Sequence, residues 1–163
     1  MELLYWIPVA LIIGYIVTTC LVFVQVPKSI SNTHYMWKEK GFNNLFTFVM
    51  WITGITILVY WLSVSSQYKF LPFISIASMC FVGAACAFKE TLTDKVHCIS
   101  AIIWAGAAIL YIILMGEYNS LIVGVILSAI GFVANGFKNK TFWLELACVI
   151  AMIISIGLIG RIY

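Results

Sequence analysis

Long apolar runs separated by short polar breaks dominate the chain. They read Leu3 to Val26, Leu45 to Val64, Leu71 to Phe88, Val96 to Met115, Leu121 to Ala134 and Phe142 to Ile159. A helix needs about 20 mostly apolar residues to cross the hydrocarbon core of a bilayer, and backbone polar groups must be satisfied within it. The pattern therefore predicts an all-α, polytopic transmembrane helical bundle of six spans. The fifth run is the shortest; it either extends through Asn135 and Phe137 or is a half-buried helix, which leaves five spans as the fallback. Barrel-type alternation is absent.

The breaks are a handful of residues each, so consecutive spans must be antiparallel neighbours in a single domain, 1–163. One break is different. Residues 27–44 form a longer polar loop in which Ser29, Ser31, Asn32, Thr33, His34 and Tyr35 crowd together. Pro8 and Pro72 stand near the starts of their spans, where a missing amide hydrogen costs little.

Composition agrees with this class: 64% of residues are apolar and 9% charged, against roughly a quarter charged in soluble domains. Charge adds sidedness. The first, third and fifth connections carry Lys28, Lys38, Lys40, Lys89, Lys95, Lys138 and Lys140, and the opposite side only Lys69 and Arg161. By the positive-inside rule this puts the three connections, including loop 27–44, in the cytoplasm and both termini on the non-cytoplasmic side, in a membrane such as the bacterial inner membrane. The net charge of +3 then reports topology and contact with membrane lipids, with no nucleic-acid partner. The first run lacks a basic leader and reads as a retained span rather than a signal peptide. The five cysteines lie in or beside apolar runs without a CxxC pair, as small apolar side chains do.

Small residues mark where helices approach closely. Gly124, Ser128, Gly131 and Asn135 share one side of the fifth span, a face suited to contact within the chain or to a homo-oligomer, with a ligand cleft as the lesser reading. Residues 83–87 make the inner half of the third span slim.

Candidate chemistry collects at the cytoplasmic end. Asp94, His97, Ser100, Trp104 and Tyr111 fall on one face of the fourth span at about 100° per residue. Thr93 or Asp94 is a natural N-cap there, and Asp94 with His97 could instead share a proton or a metal ion. Gln25 ends the first span, Lys89 and Glu90 precede the fourth, and Glu145 sits a turn inside the sixth, where its carboxylate needs a partner: Lys138, Lys140 or another group. His34, His97 and Asp94 could complete a three-ligand zinc site with water in the open position. No HExxH, GxSxG or Walker-type motif occurs.

The sequence PKSIS at residues 27–31, FVGAACAF at 81–88 and DKVH at 94–97, in that order among the spans, resembles small six-helix bacterial membrane proteins grouped distantly with the CREST membrane hydrolases. The resemblance implies a zinc-dependent lipid-amide hydrolase site facing the cytoplasm, with Ser29 or Ser31 as its serine and His97 as one histidine. The late HxxxH pair of that superfamily has no counterpart, because the last two spans contain no histidine.

The functional expectation is a cytoplasm-facing polar pocket for a lipid head group or small anionic ligand. Ser31, His34, Lys89, Glu90, Glu145, Gln25 and Trp104 would bind the ligand. Hydrolysis of the lipid, with His97 and Asp94 as base or ligand and Ser29 assisting, stays open. Two other classes compete with it: an oligomeric pore-forming or effector protein packed through the fifth span, and a non-catalytic subunit of a membrane complex.

Overall fold

A computed structural model of the chain describes residues 2–85, 90–135 and 138–162, without the side chains of residues 90–94 and 162. Its elements, in order, are α1 Glu2–Phe23, α2 Thr33–Glu39, α3 Leu45–Val64, α4 Phe70–Ala84, α5 Glu90–Leu114, α6 Tyr118–Asn135 and α7 Lys140–Ile162. No strand occurs among the described residues. Five helices, all but α2 and α4, are long and apolar enough to cross a membrane. Large apolar side chains such as Phe48, Ile102 and Val125 point outward, which in water would be an aggregation surface and in lipid is an ordinary one. The chain is an integral membrane protein built as a helical bundle.

Helix ends follow local chemistry. After α5, Gly116 at φ 76° lets its own amide donate to the Ile113 carbonyl and the Glu117 amide to Ile112, both at 3.1 Å. After α2, Gly41 at φ 88° does the same with Lys38 and Trp37, and the Phe42 ring then packs edge-on against Trp37 at 5.6 Å. Both are Schellman closures, in which a residue without Cβ is favoured at the left-handed position. α1 ends without such help. Val24, a β-branched residue, takes φ 51°, and the turn to Pro27 follows.

α3 is the central helix, packed by α1 on one side and α4 on the other, with α4 in turn along α5 and α6 against α7. Its Trp61 is fully buried and meets Tyr111 of α5 edge-on at 5.1 Å, and the Tyr111 hydroxyl is 2.6 Å from Ser65 Oγ. Ser100, Trp104 and Tyr111 are all buried, so the polar and aromatic stripe of the fourth predicted span does face the protein interior. At one end of the bundle, Tyr5 donates to the Ile153 carbonyl at 3.0 Å, bringing the start of α1 beside the last turns of α7.

Several expectations need correction. The fifth predicted span does extend to Asn135, giving α6 18 residues, and the shorter described helix is α4, with 15 residues before the undescribed 86–89. The first span stops at Phe23 rather than Val26 because Val24 leaves helical geometry. The polar loop contains a helix, α2. Pro8 lies inside α1, with more than one turn before it. Neither Thr93 nor Asp94 caps the fourth span, since α5 begins at Glu90 and runs through both.

Candidate functional site

Loop 24–32 is strapped across the start of α7. Asn139, a residue type that tolerates the left-handed φ of 56° it adopts, donates its side-chain amide to the Val26 carbonyl at 3.0 Å. The Phe142 amide donates to Lys28 at 3.1 Å, and the Ile30 amide donates to Glu145 Oε2 at 2.5 Å. The partner of Glu145 is thus loop backbone, whose amides are unpaired because the loop is not helical. Lys138 and Lys140 are exposed.

α2 is tied to α1 by a chain of hydroxyls. Tyr15 donates to Thr33 Oγ1 at 2.7 Å, and Thr33 donates to the Ile30 carbonyl. Trp37 Nε1 donates to Thr19 Oγ1 at 2.8 Å. Ser29 Oγ accepts the Asn32 amide at 2.9 Å and lies 2.9 Å from Ser31 Oγ, the geometry of a serine that closes a turn before a helix.

Beneath this strap lies a cavity of about 30 Å³ whose polar lining is Ser31, His97, Trp104 and Glu145, with apolar walls including Phe46 and Met79. Four candidates from three distant stretches of sequence therefore meet. The space holds a water, for which about 10–15 Å³ suffices, and not a lipid head group. Trp104 is buried and its indole N–H has no acceptor among the described residues.

The other candidates stand elsewhere. His34 is buried outside the cavity, edge-on to Tyr35 and to Phe46, whose ring does line the cavity. Its Nδ1 has no partner among the described residues. Burial, and secondarily the Lys38 charge, holds its pKa below the ordinary histidine value, so the ring is neutral near pH 7. Gln25 is exposed, and the Ser29 hydroxyl is occupied in its turn. Lys89, and the side chains of Glu90 and Asp94, lie outside the described residues. Among the described residues no group of three or more His, Cys, Asp or Glu side chains could hold a metal ion, and the zinc set His34, His97, Asp94 depends on a side chain outside them.

The small-residue face expected on the fifth span, with a ligand cleft as its lesser reading, does border a groove. This groove of about 320 Å³ runs between α5, α6 and α7, floored by Ala105, Ala108, Gly124, Ala147 and Ala151. The Ser128 hydroxyl at its edge is spent on the Gly124 carbonyl, at 3.0 Å. Trp104 forms a wall of both the groove and the polar cavity. The small residues of α6 were legible as a close-packing face, and α7 of the same chain occupies that face: a Cβ on Gly124 would lie 3.2 Å from the Ala147 oxygen, and one on Gly131 would overlap Trp143. The groove is what remains where α5 diverges from this tight α6 and α7 pair.

No protein-family model, curated protein or solved structure matches the chain.

Proposed function

We propose that the protein is a six-pass membrane protein that binds a single anionic lipid or similar amphiphile, with an acyl chain in the groove between α5, α6 and α7. The observation that carries this reading is the groove itself. Its volume of about 320 Å³ falls at the lower end of small-molecule sites, roughly 300–1,000 Å³, and its lining offers almost nothing but hydrocarbon. Leu144 lies on its wall, one turn from exposed Lys140 at the start of α7, so an anionic head group emerging at that end meets lysine charge.

The passage count and sidedness belong to the same proposal. Tyr5 near the start of α1 bonds Ile153 in the second half of α7, and this pairing of the two helices supports an even number of passes. At 1.5 Å per residue α4 is about 22 Å long, short for a hydrocarbon core of about 30 Å but sufficient with local thinning. Were α4 not to cross, the lysine and arginine residues would divide four against five; six passes divide them seven against two. The lysine-rich end is then cytoplasmic. Binding, not hydrolysis, is proposed, because Ser29 is engaged in its turn and the cavity holding His97 is water-sized.

Native mass spectrometry of protein released from lipid nanodiscs tests the reading. One tightly held lipid is expected on the wild type, absent from Ala105→Phe, which fills the groove, and retained by Ile55→Phe on the exposed face of α3. Equal lipid retention by Ala105→Phe would overturn it.

A further inference from the structure

At the opposite end of the bundle from the strap, where α1 starts and α7 ends, a second cleft of about 270 Å³ opens. It is lined by Glu2, Tyr5, Trp6, Tyr60 and Arg161, with Gly157 and Gly160 in its floor. Tyr5 lies between the other two rings, 5.0 Å from Trp6 and 5.3 Å from Tyr60, so the three form one continuous aromatic wall. The glycines are what admit it. A Cβ on Gly157 would lie 2.6 Å from the Tyr5 hydroxyl, and one on Gly160 2.2 Å from that of Tyr60.

Interfacial aromatic residues are common in membrane proteins and by themselves mean little. Here they are combined with two charges of opposite sign, Glu2 and Arg161, the latter acting on the Tyr5 hydroxyl. Among the described residues neither Glu2 nor Arg161 is within ion-pair distance of an opposite charge, although both line the same cleft. Tyr60, nearly buried, has no hydrogen-bond acceptor for its hydroxyl among the described residues. A guanidinium suits a phosphate, and a carboxylate beside aromatic faces suits an ammonium group.

The geometry points to a binding site for a zwitterionic phosphate ester of an amino alcohol, the chemistry shared by phosphoethanolamine and phosphocholine, with Arg161 on the phosphate and Glu2 and the rings of Trp6 and Tyr60 around the ammonium. The site is separate from the groove proposed above and does not depend on it. Its depth, at the ends of two long apolar helices, suits the head group of a zwitterionic lipid as well as the free ester.

Titration calorimetry on the detergent-purified full chain tests this with four probes: phosphoethanolamine, phosphocholine, inorganic phosphate and ethanolamine. At least one zwitterion should bind saturably, and either single-charge probe at least about tenfold more weakly, the size of one lost charge-assisted contact. Arg161→Gln and Glu2→Gln, both at exposed positions where folding is insensitive, should each weaken that binding by about tenfold or more. The source is separated by nanodiscs of phosphatidylethanolamine against phosphatidylglycerol. Retention of the zwitterionic lipid alone, lost in the double variant, assigns the site to a lipid head group even if the free esters bind weakly. Inorganic phosphate binding as tightly as the zwitterions would overturn the proposal, as would binding unchanged in the double variant. So would the absence of both ester binding and selective lipid retention.

Discussion

Removing the Glu145 carboxylate should release the strap that closes the loop end of the bundle. Glu145 Oε2 accepts the Ile30 amide at 2.5 Å, and this contact joins positions 115 apart in sequence. A hydrogen bond contributes about 0.5–1.5 kcal/mol net, and an amide left unpaired in a part-buried site adds about 1–3 kcal/mol to the loss. Because Glu145 is only half-buried, the lower part of each range applies, so Glu145→Ala should cost about 2 kcal/mol locally, roughly thirtyfold in the opening equilibrium. Glu145→Gln retains an acceptor for the Ile30 amide and should cost less. The direct assay is amide hydrogen exchange by mass spectrometry in nanodiscs, read on peptides covering residues 26–32. Exchange there should accelerate in the order wild type, Gln, Ala, while the α3 peptides stay protected. Unchanged protection of the Ile30 segment in Glu145→Ala would refute the strap.

Other consequences follow from single positions. Val24→Gly should raise stability by about 0.5–1 kcal/mol, since relief of a β-branched residue at φ 51° exceeds the added freedom of the unfolded glycine; a lower melting temperature would contradict this. His34 is held neutral in the fold, so the unfolded chain binds its proton first as pH falls. Its contribution is complete above the ordinary histidine pKa of about 6.5 and is lost below it. Melting temperature should therefore drop from pH 7 to pH 5, and His34→Phe should flatten that part of the profile. Gly131→Ala places a Cβ 2.1 Å from the Trp143 ring and should cost about 1–3 kcal/mol, with a shift in tryptophan emission as the indole moves; an unaltered spectrum and stability would mean that α6 and α7 are less tightly packed than described.

Much of the fold was legible because hydrocarbon imposes a simple rule. Long apolar runs mark α1, α3, α5 and α7, a shorter one marks α6, and the period of Ser100, Trp104 and Tyr111 shows which face of α5 turns inward. The glycines that close α2 and α5 were visible too, but their role depends on φ, which composition does not state. The short α4 was hidden by a continuous apolar run, since hydropathy does not reveal where a helix stops.

The candidate site was half legible for a related reason. Ionisable and aromatic residues in apolar surroundings are conspicuous, so Ser31, His97, Trp104 and Glu145 could be named in advance and do surround one cavity. The strap over them could not, because Glu145 and Asn139 bond to backbone atoms of Ile30 and Val26, and any residue supplies an amide or a carbonyl. The groove was the least visible. It consists of space between helices, and the alanines and glycines around it read equally well as close packing, which is what Gly124 and Gly131 do against α7.

A lipid carrying a diazirine at mid-chain, crosslinked by light in native membranes and mapped by peptide sequencing, tests the bound acyl chain most directly. Labels should concentrate on the groove, at Ala105 and Ile109 of α5, Val125 of α6 and Leu144 of α7. Labelling spread evenly over outward apolar faces, with Phe48 and Ile55 of α3 marked as strongly as the groove, would contradict a dedicated lipid site.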